Sequence, residues 1–331
     1  MKHLLLAAAL SFSMLSAHAA DANYNVVPLP KSVVMVKGQP FNLTSATTIV
    51  YEGTNPEMKR NARFLSEYIQ QSTGIKTTLL DKRDKKAAAI VLVINPKVQG
   101  DEAYRLTVNN KQVTIAASTP ACVFYGIQTL RKSLPVQTNG ADITLPAVDI
   151  ADAPRFGYRG MMLDCGRHFF PVSFVKKFID ILAMHNMNVF HWHLTEDQGW
   201  RLEIKSHPEL TAKSSMRSGT VIGHNATVDD SIHHGDIYTQ QEAHDIVEYA
   251  RQRHITVIPE IDMPGHTLAA LAAYPELGCT GGPYEVGHRW GVYKDVLCLG
   301  KESTYKFVQD VIDEVVDIFP AKYFHIGGDE S

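Results

Sequence analysis

Two carboxylates, Asp329 and Glu330, stand side by side directly behind Gly327, Gly328 and the largely apolar run Tyr323–Ile326. Apolar residues leading into glycines and then acids are the pattern of a buried parallel strand that delivers its acids to the mouth of a β/α barrel. An ordinary polar turn would read the same way, so the rest of the chain has to decide. Three more clusters of chemically able residues follow apolar runs: Asp164, Arg167 and His168; His191, His193, Glu196 and Asp197; and Glu260, Asp262 and His266. The fourth consists of His325, Asp329 and Glu330. A single histidine or acid in such a place is more often a satisfied core residue. Four clusters at equivalent places describe the active face of a barrel.

Two chemistries compete for these residues. His191 and His193 are two apart, which places both imidazoles on one face of a strand, and metal hydrolases use such pairs as ligands. His266 and Asp329 would then complete the metal shell. The neighbours Trp192, Gln198, Gly199 and Trp200 point instead to a sugar site, with rings to stack on sugar faces and amides to bind hydroxyls. Glycoside hydrolysis is in turn constrained by the adjacency of Asp329 and Glu330. A retaining glycosidase ordinarily flanks the scissile bond with an acid and a nucleophile on opposite sides. Two consecutive residues cannot reach both sides. One carboxyl can protonate the leaving oxygen, but the nucleophile must come from elsewhere, and a 2-acetamido group on the substrate can supply it through its own carbonyl oxygen. The second carboxylate would then hold the acetamido N–H and stabilise the cyclic cation. No cofactor or metal is required by this chemistry.

The elements that must position these residues alternate. Strands are expected over 158–165, 188–194, 255–261 and 323–326, and helices near 172–185, 240–253 and 304–319. Val175, Phe178, Ile179 and Leu182 mark one amphipathic helix; Phe307, Val308, Val311, Ile312 and Val315 mark another. Thr239 and Glu242 form a capping box. Strands alternating with helices imply a parallel sheet. The expected fold class is therefore α/β, with about four β/α units, the first half of a TIM-type (β/α)8 barrel. Ahead of it, and joined to it by a linker at Asp152–Pro154, residues 21–151 are expected to form a small α+β domain. Its signals are extended stretches over 25–29 and 32–36, a helix through Met58, Leu65, Tyr68 and Ile69 that ends at Gly74, and a strand over 88–94. A hairpin turning at Asn109 and Asn110 and a helix over 119–134 follow. Nothing in that domain clusters chemically, which makes it structural or accessory.

Composition narrows the class. With 45% hydrophobic and 20% charged residues the chain of 331 residues is a globular protein, not a disordered one. A formal net charge of −3 with dispersed Lys and Arg leaves no footprint for nucleic acid. Residues 1–20 have the form of a secretory leader: Lys2 and His3, a short apolar region, and Ala17-His18-Ala19 as a cleavage site. That apolar run is too short to span a bilayer. The mature protein is expected to be exported, periplasmic or secreted, with no membrane partner. Export permits disulfides, and Cys279 and Cys298, which bracket a glycine-rich loop, are expected to pair, whereas Cys165 is expected to stay reduced.

Four stretches carry a resemblance: 158–169 (YRGMMLDCGRHF), 188–201 (NVFHWHLTEDQGWR), 257–266 (VIPEIDMPGH) and 325–330 (HIGGDE). In this order and spacing they resemble family-20 glycoside hydrolases, the β-N-acetylhexosaminidases, and the resemblance extends over about residues 22–331. It implies an exo-acting enzyme that removes terminal β-linked N-acetylglucosamine or N-acetylgalactosamine from oligosaccharides and glycoconjugates by substrate-assisted, retaining hydrolysis. It also implies roles. Glu330 would be the general acid and then the base, and Asp329 would orient the acetamido group and stabilise the oxazolinium ion. Arg167 would bind ring hydroxyls. His266 and Glu196 would form a supporting polar pair. The family most often has Asp where Glu196 stands, so Asp197 could share that contact.

The family's barrel has eight strands, and the tryptophans and the tyrosine that wall its sugar pocket lie beyond the position of Glu330. The chain is therefore expected to be the N-terminal part of a longer enzyme, inactive as a fragment. A non-catalytic glycan-binding relative is the alternative.

Overall fold

Asn55 opens a helix over Pro56–Thr73 by accepting from the amides of Glu57 and Met58, with Pro56 at the first helical position. Its Met58, Leu65, Tyr68 and Ile69 are buried, and the chain leaves it at Gly74 in a left-handed conformation. A second helix, Pro120–Ser133, is capped by Thr119 and lies against the first. Both belong to a unit that ends at Ala153, one of two into which the computed structural model divides. The structure describes residues 20–51, 53–84, 87–223 and 227–330, so the leader expected over residues 1–20 lies, but for Ala20, outside the described residues.

The first unit is built on a seven-stranded mixed sheet, in the order Ser32–Met35, Val148–Asp152, Tyr104–Asn109, Gln112–Ala117, Ala89–Ile94, Thr48–Val50 and Thr78–Leu80. Tyr104–Asn109 and Gln112–Ala117 form the expected hairpin about Asn109 and Asn110. Alternation decides their faces: Tyr104, Leu106 and Val108 are buried while Arg105 and Asn109 are exposed. The stretch 25–29, expected to be extended, joins no ladder. It carries Pro28, which has no amide to offer one.

The second unit begins at Pro154. Gly160–Asp164, Val189–His193 and Thr256–Glu260 pair in that order as a parallel sheet. The connections contain the helices Val172–Met184 and Gln240–Arg251, the second opened by the Thr239–Glu242 capping box. A third helix, Glu302–Ile318, buries Phe307, Val311, Val315 and Ile318. The register fixes the site. Asp164 lies level with His193, His193 with Glu260, and Glu260 with His325, so one row of polar residues crosses four chain segments.

That last step corrects an expectation. Residues 323–326 form only a single parallel bridge, Glu260 to His325, not a strand. The chain leaves the sheet immediately afterwards, because Gly327 and Gly328 take φ values of +63° and +84°. The sequence also gave no warning of the short antiparallel pair Thr195–Glu196 with Gly199–Trp200, which folds the acidic segment back behind its strand. No helix of the described residues is long and apolar enough to cross a membrane.

All four cysteines are free thiols. Cys279 and Cys298 do meet, next to the antiparallel bridge between Gly278 and Leu297, but as hydrogen-bonded thiols rather than the expected disulfide. The chain approach is right; the covalent bond is not formed in this structure.

Candidate active site

Period-two alternation along Val189–His193 separates chemistry from core. Phe190 and Trp192 point to the core, where Phe190 meets Phe178 of the helix Val172–Met184 and Trp192 meets Tyr238 and Phe319, which flank the other two helices. His191 and His193 point the other way, towards Glu260. Trp192 is fully buried and its indole N–H donates to Cys165 Sγ; Trp200 is buried against Phe307 and donates to Leu202 O. Neither ring can stack on a sugar, which corrects the reading of these tryptophans as a sugar platform. Gln198 is also buried, and its side-chain N–H donates to Arg289 O.

The six residues expected to form the site are brought together. Arg167 follows the first strand, and its amide and guanidinium both bind Asp164, at 2.9 and 2.7 Å. The other guanidinium nitrogen lies 2.7 Å from Glu196 Oε1. Glu196 and Asp197 are both buried and converge on one side of the His266 ring: Nδ1 is 2.9 Å from Asp197 Oδ2 and 3.2 Å from Glu196 Oε2. On the other side, His266 Nε2 is 2.9 Å from Glu330 Oε2 and 3.9 Å from Asp329 Oδ2. The supporting contact is thus shared, and Asp197, not Glu196, makes the hydrogen bond to His266. The amide of Leu268 donates to the other Asp197 oxygen at 2.9 Å, fixing that carboxylate.

Electrostatics follows from this packing. Burial disfavours a charged His266, but Glu196, Asp197 and Glu330 outweigh it and lift the imidazole to about 9. At neutral pH it is an imidazolium that donates to Asp197 on one side and Glu330 on the other. Burial pushes the Glu196 carboxyl up to about 8 against the pull of Arg167 and His266. Asp164 goes the other way: burial opposes its charge, yet His193 and Arg167 hold it below the usual carboxylate range. His168 stands outside this network. Its ring lies 5.0 Å from that of His234, and burial followed by Arg217 lowers it.

Residues that the sequence did not single out hold the frame. Arg201 is fully buried, and its guanidinium donates to the carbonyls of Cys165, Gly166, Ser215 and Gln198. Arg217 donates to Arg167 O. These two arginines tie the loop that carries Arg167 to the turn that follows Asp197. Only the Arg in the stretch 188–201 could have pointed to this, and nothing in it tells a buried arginine from a substrate ligand.

A metal-binding set can also be assembled. His191, Glu260 and His325 each offer an atom within 4.8 Å of the others, two imidazoles and a carboxylate of the kind zinc accepts. In the structure these atoms satisfy one another: Glu260 hydrogen-bonds His191 Nε2 through one oxygen and lies 3.1 Å from His325 Nδ1 through the other.

Comparison with known proteins points one way. The family model described as glycosyl hydrolase family 20, catalytic domain, matches residues 156–331, and that described as glycosyl hydrolase family 20, domain 2, matches residues 23–153. A β-hexosaminidase from Porphyromonas gingivalis is 42% identical over 316 residues, which is 94% of this chain and 39% of that protein. One from Vibrio furnissii is 36% identical over 93% of this chain and 49% of its own length. Among solved structures, the β-N-acetylhexosaminidase of Streptomyces coelicolor superposes with a TM-score of 0.81 at 37% identity, covering 93% of this chain and 60% of that one. A mutant β-hexosaminidase of Streptomyces plicatus, solved in complex with its product GlcNAc, gives 0.81 at 38%, over 93% and 59%. This chain spans from about two fifths to about three fifths of the length of these relatives.

Proposed function

Because the chain belongs to glycosyl hydrolase family 20, we propose that it carries the acid and the acetamido-binding carboxylate of an exo-acting β-N-acetylhexosaminidase. The substrate is a glycan or glycoconjugate with a terminal β-linked N-acetylglucosamine or N-acetylgalactosamine. The second unit supplies the first β/α units of a TIM-type barrel, and the first is an accessory domain. Export rests on the leader pattern of residues 1–20.

The carrying observation is that Asp329 and Glu330 are consecutive and only Glu330 is within hydrogen-bonding distance of the charged His266. Consecutive carboxylates cannot flank a glycosidic bond, so the substrate's acetamido oxygen serves as nucleophile. Glu330 gives its proton to the glycosidic oxygen while the acetamido oxygen closes on the anomeric carbon. Asp329 accepts the acetamido N–H and stabilises the oxazolinium ion. Glu330, now a carboxylate, takes a proton from water, which opens the ring at the same face with net retention. The Asp197–His266 pair steadies Glu330 through both protonation states, and Arg167, clamped by Asp164 and Glu196, presents donors to sugar hydroxyls.

The test, in the full-length enzyme rather than in this chain alone, which is expected to be inactive, is turnover of 4-nitrophenyl N-acetyl-β-D-glucosaminide against the plain β-D-glucoside, with a thiazoline analogue of the intermediate as inhibitor. The reading expects cleavage of the first only, and tight inhibition. Comparable cleavage of both overturns it. Sugar binding without turnover would favour a non-catalytic glycan-binding protein.

A further inference from the structure

Asp262 is a buried acid with 2% of its surface exposed, and the mechanism above gives it no task. Its surroundings do. The amides on either side of it bond to the segment that leads to the site: Ile261 N–H to His325 O at 3.1 Å and Met263 N–H to Ile326 O at 2.9 Å. Its own amide donates to Thr195 Oγ1 at 2.9 Å, beside Glu196. Its side chain reaches the next turn, where Oδ1 accepts the Gly328 N–H at 3.2 Å. Gly327 lies directly over this carboxylate. A Cβ there would come within 1.8 Å of Oδ1 and 2.3 Å of Cγ, and the backbone is already left-handed at φ +63°.

We propose that Asp262 is a positioning residue whose carboxylate, held against the Gly327–Gly328 turn, aims the Asp329–Glu330 pair. The bond it makes is one residue ahead of Asp329, about 3.8 Å along the chain. Slack at that amide is transmitted to both carboxyls at once. Apolar packing could fill the space but offers no acceptor for the Gly328 N–H, which Asp262 Oδ1 accepts in a partly buried bond. Burial and then the nearby Asp329 charge raise the Asp262 carboxyl to about 6, against the Gly328 amide and His266, and no ion pair with it is seen among the described residues. Such an acid is costly to keep for packing alone.

The inference rests on the reading of Asp329 and Glu330 as the reacting carboxylates, so its test has one arm that needs no activity. In the full-length enzyme, hydrogen exchange of the peptide spanning residues 323–331 is followed in wild type, Asp262→Ala, Asp262→Asn and Gly327→Ala, with kcat and KM on the nitrophenyl N-acetylglucosaminide. Asp262→Ala is expected to speed exchange at least tenfold and lower kcat at least thirtyfold, with KM within threefold. Asp262→Asn keeps an acceptor and is expected to restore exchange to within threefold and kcat to within tenfold. Gly327→Ala should match Asp262→Ala, and the double variant should lose little more than either single. Should Asp262→Ala fail to fold, Gly327→Ala with Asp262 in place carries the same expectation. Unchanged exchange in both Asp262→Ala and Gly327→Ala, or an Asn variant as damaged as the Ala one, overturns the proposal. Altered exchange with an inactive wild type would uphold the positioning and refute the functional reading. An active wild type matched by Asp262→Ala would do the reverse.

Discussion

His266 Nε2 and Glu330 Oε2 lie 2.9 Å apart, and both residues reach this contact from left-handed backbone, at φ +50° and +54°. Neither is glycine, asparagine or aspartate, the residues most at ease there, and each such residue costs roughly 1–3 kcal/mol. The surrounding bonds hold them there. Met263 and Ile261 anchor one segment to the other, and Asp197 and Leu268 fix the far side of the imidazole. Strain at two facing residues, stabilised from both flanks, fits the proposed reading of Glu330 as an acid held in place by its partner.

The charge on His266 makes stability fall at high pH. Its folded value, about 9, lies above the ordinary 6.5, so its contribution is complete below about 6.5 and disappears as pH rises through 9. Urea unfolding of wild type and His266→Gln at pH 6 and pH 10 should show the difference between them narrowing by roughly 1–3 kcal/mol. A difference that grows with pH would mean the imidazole is neutral in the folded protein.

Arg201 should be among the most sensitive positions in the second unit. It is buried with carbonyls for partners, so Arg201→Leu leaves several buried acceptors empty and is expected to cost roughly 3–5 kcal/mol. Gly199→Ala should destabilise by the same route, since its Cβ would stand 2.1 Å from Arg201 Cζ. Denaturant midpoints measure both, and a Gly199→Ala protein as stable as wild type would show that the guanidinium is free to shift.

Local rules explain what could be read in advance. Gly74, the Asn109–Asn110 turn and the Thr239–Glu242 box act within a few residues, and each element formed where its punctuation stood. The clustering of the six candidate residues was legible because each follows an apolar run, and parallel strands deliver such positions to one face. Contacts across long separations were not legible. Asp262 meets Gly328 over 66 residues, and Arg201 meets Gly166 over 35. Trp192 and Trp200 misled because composition near an active face does not reveal which side of a pleat a ring occupies. The short bridge at His325 misled because the glycines behind it end the pairing early.

Thiol chemistry should separate the cysteines. Cys279 is exposed and Cys298 partly so, and the hydrogen bond from Cys279 together with the Gly300 amide lowers Cys298 below an ordinary thiol. Cys165 is buried and raised by that burial to about 11. Iodoacetamide on the folded protein at pH 8 is expected to label Cys298 first and Cys279 next, with Cys122 and Cys165 modified at least a hundredfold more slowly. Peptide mapping reads the order. Early labelling of Cys165 would show that the core around Trp192 and Tyr238 opens far more readily than its packing suggests.

Neutralising the two candidate carboxylates in the full-length enzyme should do different damage, because the proposed mechanism has them act on different atoms. In the proposed mechanism Glu330 donates to the leaving oxygen, and a nitrophenolate needs little protonation to depart, whereas a sugar alkoxide needs a full proton. Glu330→Gln should therefore lower kcat on an N-acetylhexosamine disaccharide at least a hundredfold more than on the nitrophenyl glycoside. Asp329 is proposed to serve the acetamido group, whose ring closure would be common to all 2-acetamido substrates. Asp329→Asn should slow both substrates alike, by roughly 10²–10³-fold if its contribution resembles that of one preorganised charge-stabilising group. It should also narrow the gap between 2-acetamido and plain glycosides, because the group that distinguishes them has lost its partner. The contact with His266 sharpens the contrast. Glu330→Gln keeps an oxygen that can accept from the imidazolium at 2.9 Å, so its loss reports proton transfer rather than collapse of the relay. Six rate measurements decide the matter: wild type and each variant, on a good and a poor leaving group. Equal loss on both substrates for Glu330→Gln, or selective loss on the disaccharide for Asp329→Asn, would exchange or abolish the assigned roles.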